Sequence, residues 1–219
     1  IVCCLAASLL CLSAGFAIGR YTDFTPTLFF RTKVVFREPL IEEAVRLSLG
    51  KTNGEPISKD DLLSVTELYI FGDRAVADAP AYSKQQARMT TAGETVRNGG
   101  IRSLDDLAQL THLQVLHIAL QDITDLSPLS KLDSLEIVDL NHNPIESIAP
   151  LAGLSSLEQL SVFESRVSDF SALSGCPLLE GIDAGKTRVT SLSSFTELQG
   201  LTMLMLRGIL APDLSEESC

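Results

Sequence analysis

Residues 140–160 read "LNHNPIESIAPLAGLSSLEQL", with Leu or Ile at 140, 145, 148, 151, 154, 157 and 160. After the first step, every apolar residue follows its predecessor by three positions. A half-buried strand alternates with a period of two, and a surface helix mixes spacings of three and four, so neither explains the pattern. Sliding the chain against itself by 22 residues does: Leu113, Leu135, Leu157, Leu179 and Leu201 then superpose.

The remaining apolar positions fall into the same register. Leu116, Val138, Leu160, Ile182 and Leu204 form one column, and Ile118, Leu140, Val162, Ala184 and Leu206 the next. The second half of each unit repeats through Ile123, Ile145, Val167 and Val189, then Leu126, Ile148, Phe170 and Leu192. Leu129, Leu151, Leu173 and Phe195 follow, and Leu132, Leu154, Cys176 and Leu198 complete the set. A fixed period in the twenties means a solenoid, in which each unit covers only its neighbours. A row of amphipathic helices is the competing reading, and Pro128, Pro144, Pro150 and Pro177 would break most of them.

The L-x-x-L-x-L units resemble leucine-rich repeats, specifically the 22-residue class of bacterial internalins. The resemblance covers roughly residues 38–208 and implies an α/β solenoid, a horseshoe or arc with a parallel concave sheet. In that scheme "LEIVDLNHNPIESIAPLAGLSS" (135–156) is one coil: strand at 137–141, turn at Asn143, and return by a tight helical or 3₁₀ turn. Asn143 falls where the family turns an amide inward to bond the backbone of adjacent coils. The column here reads Gln121, Asn143, Ser165, Thr187, so one true Asn remains. The family also implies a helical N-terminal cap, which residues 38–64 suit. "REPLIEEAVRLSLG" has Pro39 at a helix start and Gly50 as a stop. Ser58 with Asp61 three residues on is a capping-box variant.

The repeats span 65–208, and the first coil departs from the pattern. Val65, Leu68 and Ile70 supply its strand columns, but its second half begins at Ile101, so residues 74–100 are inserted. An insert of this length is either functional or disordered. Tyr82, Met89 and Val96 would let it pack as a flap beside the strand face.

Upstream, residues 1–19 carry no charge and would span about 28 Å as a helix, close to a bilayer's hydrocarbon thickness. They read as a transmembrane anchor or a signal segment, joined by a linker at 20–37; residues 209–219 form a tail. The repeat domain is expected outside the cell, membrane-anchored or secreted, while Arg20, Arg31, Lys33 and Arg37 after the span argue, by the positive-inside tendency, for the cytoplasmic side. A net charge of −11 argues against nucleic acid, which needs a Lys/Arg surplus.

Between the inward columns, alternate strand residues face the concave side. The expected interaction residues there are His117, Asp139, Ser161, Asp183 and Met205, flanked by Asn141, Phe163 and Arg207. No catalytic set is read among them: Asp139 and Asp183 stand two coils, about 10 Å, apart, and Asp139 separates His117 from Ser161. "DLNHNPIE" imitates a calcium loop, but Pro144 occupies the position that demands Gly and Pro150 the one that demands Glu. The three histidines fall at different coil positions, no Cys-x-x-Cys pair exists, and no cofactor or metal is expected. The expectation is a non-enzymatic module that binds a protein or cell-surface ligand through the concave sheet and the insert. The alternative is a sensor or scaffold domain of a larger membrane enzyme, such as a receptor-like kinase, with its catalytic domain upstream. Coils stacking end to end, a self-association, is a third reading.

Overall fold

The structure is a computed structural model that describes residues 34–209. The apolar stretch 1–19, most of the linker and the tail beyond 209 lie outside the described residues. Among the described residues, no helix is long and apolar enough to cross a membrane.

Each period forms one turn of a solenoid. β1 (Glu67–Phe71), β3 (Val115–Ala119), β4 (Ile137–Asp139), β5 (Gln159–Ser161), β6 (Gly181–Asp183) and β7 (Met203–Met205) pair in parallel, in that order. The register is that of the 22-residue columns, with Val138 beside Leu116 and Leu160. Their return segments contain 3₁₀ turns at Asp105–Gln109, Ser127–Leu129, Ala149–Leu151, Ser171–Gly175 and Leu192–Phe195. Pro128 and Pro150 sit in the first turn of theirs, where a missing N–H costs nothing. The apolar columns meet along the axis in one core; Leu113, Leu135, Leu157, Ile123, Ile145 and Phe170 are fully buried.

The polar column is buried among them. Asn143 is 1% exposed; its Nδ2 donates to the carbonyls of Ile118, Leu140 and Asn141, and its Oδ1 accepts from the Ile123 N–H at 3.2 Å. Gln121 does the same work one coil earlier. Its Oε1 accepts from the Ile101 N–H, and its Nε2 donates to Gly72 and Ala119 carbonyls. Ser165 and Thr187 lack that reach: Ser165 Oγ accepts from Val167 N–H and Thr187 Oγ1 donates to the Ala184 carbonyl, both within their own coil.

Immediately before this column the chain turns through the left-handed region. Leu120, His142, Glu164 and Lys186 have φ of 58, 57, 58 and 52°, conformations that cost a residue with a side chain roughly 1–2 kcal/mol. The N–H groups of these residues donate to Asn141, Phe163, Gly185 and Arg207 carbonyls, so each strained turn ties one coil to the next.

Two helices precede the first coil. α1 (Pro39–Ser48) buries Ile41, Ala44 and Val45, and Leu40 and Leu49 are partly buried against the core. Asp106 in the first coil accepts the Arg37 and Glu38 N–H groups, which fastens the start of α1. Arg46 is buried too, its guanidinium donating to Thr52 and Glu55 carbonyls and to Glu42. α2 (Lys59–Leu62) begins with a full capping box between Ser58 and Asp61.

The insert is folded. After Gly72, β2 (Arg74–Val76) turns back antiparallel to β1 and adds the sheet's seventh strand. α3 (Ala79–Thr90) follows, capped by Asp78 accepting from the Ala81 N–H, and residues 92–100 return to Ile101.

Candidate functional site

Tyr82 is the one buried residue of α3, and it lands on the concave sheet. With Tyr69, Phe71 and Ala119 it forms a second apolar cluster, flanked by Val76, Met89, Val96, Val115 and Leu120. Its ring lies edge-on to Phe71 at 5.4 Å and to His117 at 4.8 Å, and His117 stacks on Tyr69 at 5.1 Å. Its hydroxyl donates to Asp139 Oδ2 at 2.9 Å, and His117 Nδ1 approaches the same oxygen at 3.3 Å. Burial and the Asp139 charge push the Tyr82 phenol far above its ordinary range, so it stays a donor.

This latch corrects the expectation that the whole central column is open. Asp139 is only 7% exposed, and its Oδ1 is also taken by the Asn141 N–H. Asn141 is 9% exposed; its Oδ1 accepts from Ser161 Oγ and the Phe163 N–H at 2.7 Å each. Both residues are bonded into the sheet rather than presented to solvent. His117 is half-buried beneath α3. No spacing in the sequence marks the Asp139 contact, because its partner Tyr82 is 57 positions earlier.

Beyond α3 the sheet is open. Ser161, Phe163 and Met205 are partly accessible, and Arg207 is exposed. Lys186 Nζ and Arg207 Cζ lie 5.2 and 5.7 Å from the Phe163 ring centre, and His142 meets the ring edge-on. Arg207 also pairs with Asp183 at 3.3 Å, while His142 and Lys186 each approach Glu164 at 3.3 Å. The strand-end rim is therefore a self-neutralised network around an aromatic ring. The middle of the sheet holds a shallow groove of 230 Å³, walled by Gln86 of α3 and lined by Ile137, Gln159, Gly181, Met203 and Met205. Gly181 supplies its floor, and Met203 leans over it, 47% exposed.

The register sets His117, Asp139, Ser161 and Asp183 side by side in that order. Ser161 Oγ donates to Asn141, and Asp139 stands between it and His117, so these groups do not form a nucleophile–base pair. Among the described residues no group of three or more His, Cys, Asp or Glu side chains is placed to hold a metal ion.

Residues 111–153 match the family model for leucine-rich repeats, in two copies. Among solved structures, an internalin (InlF) from Listeria monocytogenes is 21% identical with a TM-score of 0.50, over 81% of this chain and 58% of that one. Internalin C2 from the same organism is 22% identical over 78% of this chain and 94% of that one, at a TM-score of 0.48. A leucine-rich repeat protein from Leptospira interrogans is 19% identical over 52% of this chain and 31% of that one, at a TM-score of 0.48. No curated protein matches the sequence significantly. Residues 111–153 thus carry leucine-rich repeats. The chain's solenoid has the internalin-like fold.

Proposed function

We propose that the chain is a non-catalytic protein-binding module, exported or membrane-anchored through residues 1–19, that recognises a protein or surface ligand on its concave sheet. The observation that carries this reading is the uncovered half of the sheet. Between the α3 wall and Arg207, half-exposed Ile137 and Met205 and exposed Met203 surround a glycine floor, and half-exposed Phe163 stands at the strand-end rim. Apolar and aromatic groups ringed by polar ones are what a partner's anchors need. The solenoid holds these groups on a rigid backbone, so binding would cost little ordering. The insert contributes as the wall of the groove, with α1 and α2 covering the first coil's open end. Export or membrane anchoring rests on the charge-free stretch before Arg20.

The test is affinity capture with the full chain and two variants on the open face, Phe163→Ala and Met205→Ala. A partner held by the wild type should be lost or weakened at least tenfold by each, and retained by Leu178→Ala, which is exposed off the sheet. A partner held equally by all four proteins would overturn the concave-face reading.

A further inference from the structure

We propose that the concave groove takes an amphipathic helix with a basic edge, a refinement that rests on the concave-sheet reading above. The groove's open side has two unlike rims. On the strand-end rim the acids Asp183 and Glu164 are paired with cations. On the strand-start rim stand Glu136, Glu158 and Glu180, each next to a groove residue: Ile137, Gln159 and Gly181. Among the described residues none of these three makes an ion pair; Glu136 accepts one hydrogen bond, from the Gln114 amide. Like charges in register on neighbouring strands repel one another. A cationic edge on the occupant removes that repulsion, and the apolar groove beside it takes the occupant's apolar face.

Spacing chooses the helix. Successive glutamates follow the strand separation of about 4.8 Å. Residues three and four apart on a helix rise about 4.5 and 6 Å, so lysines or arginines at those intervals meet successive glutamates. An extended chain presents same-side residues about 6.7 Å apart and falls out of step. The strip from the glutamate column to the Asp139–Asp183 column is three residues, about 10 Å, which matches a helix's width. This is helix-in-groove recognition with the flexible Met203 and Met205 as adaptable contacts.

The experiment is fluorescence anisotropy with the full chain and three labelled 14-residue peptides. The first has a leucine face with a lysine edge; the second replaces lysine by glutamate; the third scrambles the first and destroys its amphipathicity. The lysine-edged peptide should bind at least tenfold more tightly than the other two. A Glu136→Gln/Glu158→Gln/Glu180→Gln variant should lose at least tenfold, as should Gly181→Leu, which fills the groove. Met203→Ser, at an exposed position, provides a second apolar test outside the core. Equal binding of the scrambled peptide would reduce the effect to net charge and overturn the proposal, as would no binding at all. If Gly181→Leu and Met203→Ser weaken binding but the triple glutamine variant does not, the basic-edge partner falls and the concave-sheet reading stands. If neither groove variant matters, the peptide sits elsewhere and both fall.

Discussion

Replacing Asn143 by Ala tests whether the polar column holds the coils together. The substitution removes the acceptor of the Ile123 N–H and the donor to three carbonyls, all in a site 1% exposed. An orphaned buried N–H costs about 1–3 kcal/mol, and the lost side chain leaves a small void, so the total is about 2–4 kcal/mol. For a domain of this size that lowers Tm by roughly 5–15 °C. Asn143→Gln supplies the control, because Gln121 already bridges coils with the same donor and acceptor pattern. It should lose less than half of what Ala loses. Thermal and urea melts followed by circular dichroism measure both. An Ala variant within about 0.5 kcal/mol of wild type, or a Gln variant as damaged as Ala, would refute the bridging role.

Tyr82→Ala should free α3 from the sheet and leave the solenoid folded; limited trypsin digestion should then cut at Lys84 and Arg88 at least tenfold faster, with the far-UV spectrum nearly unchanged. Gly175→Ala should destabilise by about 1–3 kcal/mol, because a Cβ there would collide with the Ala152 carbonyl oxygen of the preceding coil; a melt identical to wild type would show that the coils are less tightly stacked. Burial holds the His142 imidazole below its ordinary 6.5, outweighing Glu164. Its neutral form is therefore the one that favours folding: that stability is complete above about pH 6.5 and lost as pH falls below it. His142→Asn, which tolerates the left-handed turn, should flatten the fall in Tm between pH 7 and 5. Asp61 lies below its ordinary 3.8, held down by the Lys51 hydrogen bond and then by Ser58, so its contribution is present above that pH and lost as acid protonates it. The Tm of Asp61→Asn should be closer to wild type at pH 3 than at pH 7.

The columns were legible because every coil after the first obeys one spacing, and a side chain every 22 residues has one direction to point. Ser58 with Asp61 was legible from residue type and spacing, whereas Tyr82, Met89 and Val96 offered flap contacts in an insert whose composition equally allowed disorder. Three features were not legible. Gln121 stands in for Asn through its longer reach, which residue type alone hides. The left-handed turns carry Leu120, His142, Glu164 and Lys186, where a glycine would have announced them. The burial of Asp139 depends on where α3 lands, a contact with no period to reveal it. Pattern repeats inside the solenoid, whereas the insert meets the sheet once.

All three methionines, Met89, Met203 and Met205, lie within the described residues, the last two in the open groove and Met89 against the Tyr82 cluster. Oxidation by dilute peroxide, read by mass spectrometry with and without a captured protein partner, therefore reports directly on the concave face. The account predicts that Met203 and Met205 oxidise readily in the free chain and are protected at least fivefold in the complex. Unchanged oxidation of both methionines in a complex shown to be intact would contradict it.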